Sequence, residues 1–77
     1  MNKYYFTFGL GHKLGEFYQV IFADSEVEAN QKMIELYGNK WAFCYTHEQW
    51  SMSKLEGFFK DLLPLKPIKA KEVMLND

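Results

Sequence analysis

Three features of the sequence predict an α+β fold: a small antiparallel sheet in β-β-α-β order, with one main helix and one or two short C-terminal helices. Two early segments alternate with period two, the stretch from Ser25 to Gly38 carries signals for both ends of a helix, and residues 40–46 return to alternation. A chain of 77 residues holds one domain, placed at 1–68, and a polar C-terminal tail at 69–77.

The first strand is read from Tyr4, Phe6 and Phe8, which alternate with Tyr5, Thr7 and Gly9; aromatic residues suit a pleated surface. GLGHKLG (9–15) holds three glycines in seven residues and is a loop by composition. The second strand sets Phe17, Gln19, Ile21 and Ala23 against Tyr18, Val20 and Phe22. Both of its faces are apolar, so it is expected in the middle of the sheet. Strand, glycine loop and strand form an antiparallel hairpin.

A helix follows at 25–37. Ser25 and Glu28 have the spacing of a capping box, and Asp24, Glu26 and Glu28 favour the positive end of the helix dipole. Ala29, Met33, Leu36 and Tyr37 recur at helical spacing with Ile34 alongside, and Gly38 suits the left-handed position that ends a helix. In the third strand Trp41, Phe43 and Tyr45 are expected on one face, with Ala42 and Cys44 on the other, where small side chains admit a closely packed helix. Thr46, His47, Glu48 and Gln49 supply a second capping box and a short helix carrying Trp50. Ser53 and Glu56 supply a third start, ahead of Leu55, Phe58, Phe59 and Leu62. Pro64 ends that segment, and LPLKPI (63–68) is open to a last edge strand, where proline is tolerated. The helices are expected on one face of the sheet.

Composition excludes several functions. The formal charge is −1 and all nine basic residues are lysine, so sequence-specific nucleic-acid reading, which favours arginine, is not expected. No apolar run approaches the roughly 20 residues of a membrane span, and MNKYYFTF lacks the apolar stretch of a signal peptide. The one cysteine, Cys44, rules out a disulfide framework and fits a reducing cytoplasm. Stability then rests on packing, which the 18% aromatic content supplies.

GNKWAFCYTHEQW (38–50) gathers four rings, a cysteine, a histidine and a glutamate, and so raises the question of a site. Cys44 and His47 could pair as nucleophile and base, but three residues along a strand span roughly 10 Å. A zinc site needs about four ligands, and the only other histidine is His12 in a distant loop. Structural roles are therefore expected for Cys44, His47 and Glu48, with no metal and no cofactor. The 9–15 loop, with His12 and Lys13 at its tip, fails the P-loop pattern because a strand follows it, and remains a candidate contact. Glu26, Glu28 and Glu35 form a candidate acidic patch, and Trp41, Tyr45 and Trp50 are candidate aromatic anchors.

KYYFTFGLG (3–11), YQVIFADSEVEANQKMIELYG (18–38) and KWAFCYTHEQW (40–50) give this chain a pattern. It resembles a group of small uncharacterised proteins of phages and prophages of low-GC Gram-positive bacteria. The shared elements are an aromatic strand ending in FGxG, an EA-containing helix and KWAF-x-Y with a following Trp. The resemblance covers about the first fifty residues. It implies action in the host bacterial cytoplasm and no catalytic residues. It also implies stoichiometric binding to a host protein, most plausibly a CRISPR effector or another anti-phage defence component. The residues leave two alternatives open: an oligomeric binder that sequesters a nucleotide immune signal, through Lys13 and the glycine loop, and an accessory phage protein without a defence role.

Overall fold

The computed structural model describes residues 1–9 and 11–71. Among them run β1 (Asn2–Thr7), β2 (Phe17–Ala23), α1 (Glu26–Tyr37), β3 (Phe43–Thr46), α2 (His47–Leu55), β4 (Leu63–Pro64) and β5 (Ile68–Lys69). The class is the α+β expected, and the strands join one sheet in the order β3-β1-β2-β4, with β5 also paired to β2. The sheet is mixed where an antiparallel one was expected. β1 pairs antiparallel with β2 and β3, whereas β4 and β5 run parallel to β2. The long return through α1, β3 and α2 makes this geometry accessible, since parallel neighbours need a crossover rather than a tight turn. β2 is flanked on both sides, as its two apolar faces require.

The helices lie on opposite faces, which corrects the one-sided arrangement. Tyr4, Phe6, Phe8, Ile21 and Ala23 pack with Ala29 and Met33 of α1. Tyr5 and Val20 point the other way and pack with Trp50 of α2. Such a small domain therefore buries both faces of its central strands, and its aromatic content is divided between two cores.

The helix-end signals behave as their chemistry requires. Ser25 accepts from the Glu28 amide at 3.2 Å, and Glu28 reaches back to the Asp24 amide at 2.9 Å rather than to that of Ser25 itself. Gly38 ends α1 with φ +67°. Thr46 and Gln49 complete a reciprocal capping box for α2. The helix expected from the third start does not form: α2 runs through Ser53 to Leu55, and the chain turns at Gly57 (φ +95°) and Phe59 (φ +64°). A bulky residue at positive φ is strained; Phe59 offsets this by stacking its ring on Trp50, with centroids 4.1 Å apart and planes 4° from parallel. Leu55 and Phe58, read as part of an apolar helix face, are exposed, as is Leu36 on α1.

The third strand starts later than 40, and its faces differ from simple alternation. Thr7 is the Cα partner of Phe43, yet its carbonyl also accepts from the Ala42 amide at 2.8 Å. Two residues thus oppose one, the pattern of a β-bulge, which shifts the preceding side chain to the other face. Trp41 accordingly meets Phe6 edge-on in the α1-side core, while Tyr45 joins the α2 side.

One polar side chain fastens three segments. Gln19 is 1% exposed, accepts from the Tyr37 hydroxyl at 2.8 Å, and donates to the carbonyls of Lys66 at 2.7 Å and Val20 at 3.1 Å. It ties the end of α1 and the β4–β5 connection to β2. The boundary drawn at 69 falls inside the sheet: Lys69 belongs to β5, Ala70 donates to the Phe22 carbonyl, and Lys71 meets Asp24. The rest of the expected tail, 72–77, lies outside the described residues.

Candidate functional site

Cys44 and His47 are three residues apart but do not meet. Cys44 packs against the α1-side core, whereas His47 accompanies Tyr5 on the α2 side, its Nδ1 2.9 Å from the Tyr5 hydroxyl. Burial, and then the charge of Glu26, push the Cys44 thiol up to about 11. It is protonated at neutral pH and a poor nucleophile. No cluster of three or more His, Cys, Asp or Glu suited to a metal occurs among the described residues.

The 9–15 loop is folded in on itself. Gly9 and Gly11 take positive φ, and a Cβ on Gly15 would come within 2.7 Å of the Gly9 carbonyl oxygen. His12 lies against Phe8, with ring centroids 5.1 Å apart, and its Nδ1 accepts from the Leu14 amide at 2.9 Å. The Gly15 amide bonds the His12 carbonyl. Two amides that an anion would need are thus occupied internally, and the Lys13 side chain is exposed.

The acids of α1 do not form one patch. Glu28 and Glu35 stand two turns apart, roughly 10 Å along the axis. Glu35 pairs at 3.0 Å with Lys32, whose side chain is buried along the helix, and Lys71 lies near both Asp24 and Glu28. Glu26 is the acid of α1 without an ion pair among the described residues.

The rings divide sharply. Trp50, expected as an exposed anchor, is 4% exposed and stacked between Tyr5 and Phe59. Trp41 is half-buried, with its indole Nε1 enclosed and unpartnered among the described residues. Tyr45 is half-buried and reaches the surface within a larger feature that the sequence reading missed. Phe43 is 63% exposed on β3, and successive ring contacts run from it through Tyr45 and Phe59 to Phe58, which is also exposed. Met52 and Leu55 of α2 are exposed as well. The available signal was Gly57: a helix stop there releases Leu55 and Phe58 from any core-facing stripe.

This row borders an open sheet edge. β3 ends the strand order, and Phe43–Thr46 contains neither lysine nor proline. The opposite margin carries Pro64, Lys66, Pro67 and Lys69, residues that blunt edge pairing. The molecule is thus defined as a small α+β sheet protein with a helix on each face and an uncovered aromatic border. No family of known proteins matches the chain, and no curated protein or solved structure matches it either. No helix among the described residues is long and apolar enough to cross a membrane.

Proposed function

We propose that this protein acts without catalysis, by binding a host protein through the β3 border. The observation that supports this reading is the row of ring contacts from Phe43 to Phe58, exposed at both ends, beside a strand edge without lysine or proline. Large exposed apolar patches mark contact surfaces, and aromatic side chains dominate many interfaces. A partner strand on the β3 edge would satisfy the free backbone groups while Phe43 enters a pocket. The resemblance of FGxG and KWAF-x-Y to phage proteins supports the choice of partner: a CRISPR effector or another anti-phage component in the host cytoplasm. Glu26 is the acid best placed to add charge contacts.

The experiment is affinity capture from a bacterial host with four baits: wild type, Phe43→Asp, Glu26→Lys, and Val27→Asp, which changes an exposed apolar residue on α1. Wild type and Val27→Asp are expected to retain one saturable partner that Phe43→Asp loses, with a weaker loss for Glu26→Lys. Equal capture by wild type and a folded Phe43→Asp would refute the β3 border as the contact.

A further inference from the structure

A second feature lies on the α2 side of the sheet, and neither Phe43 nor Phe58 lines it. It is a half-open cavity of about 410 Å³ between α2, the faces of β1 and β2, and the Pro64–Pro67 connection. That volume falls within the range of small-molecule sites, roughly 300–1,000 Å³. Its walls are aromatic: Tyr18 and Phe22 stand two residues either side of Val20 on one face of β2. Its rim is cationic. Lys3 places its Nζ 5.6 Å from the Tyr5 ring centroid and 6.0 Å from that of Phe22, and Lys54 enters from α2. His47 is on the same rim, its Nδ1 2.9 Å from the Tyr5 hydroxyl.

Among the described residues no acid lines this cavity, although the chain holds ten acids and nine lysines. The lining is therefore selective: lysines and a histidine at the mouth, rings behind them, and no carboxylate to repel an anion. We propose that this cavity binds a small planar anion, a nucleoside monophosphate in linear or cyclic form, with its phosphate between Lys3 and Lys54 and its base against Tyr18 and Phe22. Lysine binds phosphate as a point charge, and a nucleobase gains from stacking on aromatic side chains. Neither phosphate nor base alone uses both halves of the lining. This site is distinct from the 9–15 loop, and it does not rest on the protein-binding reading.

The test is thermal unfolding and heteronuclear NMR of the full chain with nucleoside monophosphates, their cyclic forms, the parent nucleosides and inorganic phosphate. The expected result is that at least one nucleotide raises Tm by about 6–11 °C at tenfold excess over its Kd. Either fragment is expected to do far less, and the shifted resonances to include Lys3, Tyr18, Phe22 and Lys54. The double variant Lys3→Gln/Lys54→Gln changes rim side chains outside both cores, and is expected to weaken binding at least tenfold. The proposal is overturned if no nucleotide binds at millimolar concentration. It is equally overturned if inorganic phosphate binds as well as the nucleotide, or if the double variant binds unchanged.

Discussion

Replacing Gln19 tests whether one buried amide holds the mixed sheet together. Gln19→Met keeps the length and approximate volume of the side chain but removes its oxygen and nitrogen. Three bonds disappear, to the Tyr37 hydroxyl and to the Lys66 and Val20 carbonyls. A buried polar group left without a partner costs roughly 1–3 kcal/mol. Tyr37 is half-buried and Lys66 exposed, so water can reach part of what is freed. The net loss is then about 2–3 kcal/mol, or a fall in Tm of roughly 10–20 °C for a domain of this size. Tyr37→Phe leaves the Gln19 oxygen unpartnered and is expected to cost about 1–2 kcal/mol. Burial raises the Tyr37 phenol above its usual pKa, so the hydroxyl remains a donor throughout the neutral range. Because both variants remove the same bond, the double variant should be less damaging than their sum by about 1 kcal/mol. Urea or thermal unfolding of the four proteins measures this directly. A Gln19→Met protein melting within about 3 °C of wild type, or strict additivity in the cycle, would refute the reasoning.

Trp50→Ala empties the centre of the Tyr5–Trp50–Phe59 stack and is expected to cost about 3–5 kcal/mol, much of the total for a small domain, whereas the exposed Met52→Ala should fall within about 0.5 kcal/mol of wild type. Cys44, with its thiol pushed up to about 11, is expected to alkylate at pH 7.5 at least about tenfold more slowly than a free cysteine; an unfolded-like rate in the native state would contradict its placement. The hydrogen bond from Lys71, then its charge, hold the Asp24 carboxyl below its usual value, so its contribution is present above the ordinary carboxylate range and lost as pH falls through the depressed value. Lys71 is raised by the same contact, and its contribution is lost only as pH rises through that raised value. An NMR titration of Asp24 should find its midpoint below about 3.9 in wild type and higher in Lys71→Ala; an identical midpoint in the two proteins would remove the contact.

The elements whose signals are local were legible in the sequence. Ser25 and the Thr46–Gln49 box marked helix starts because their side chains act on backbone groups within four residues, and Gly38 marked a helix end because its backbone takes positive φ and bonds the Ile34 carbonyl. The central place of β2 followed from its two apolar faces. What was not legible depends on partners distant in sequence. That β4 and β5 lie parallel to β2 is decided by contacts such as Gln19 with the Lys66 carbonyl, 47 residues away. Lys32 is buried on α1 beside the core residue Met33, a fact that its charge conceals. Gly57 is a local signal that competes with the helical spacing of Leu55, Phe58, Phe59 and Leu62, and in the molecule the glycine prevails.

The stretch 38–50 carries the broader lesson about function. Its density of rings and reactive side chains resembles a site only while it is imagined on one surface. The bulge at Ala42–Phe43 and the capping box at Thr46 deal those residues to two sides of a sheet: Trp41 and Cys44 toward α1, Tyr45, His47 and Trp50 toward α2. That separation dissolves the pairing of Cys44 with His47. It also turns Phe43 outward at the sheet edge, where a side chain that large is not needed for either core. Once both cores are filled, the rings still exposed are those available to a partner, so the contact residue proposed for the motif is the phenylalanine its reactive neighbours obscured.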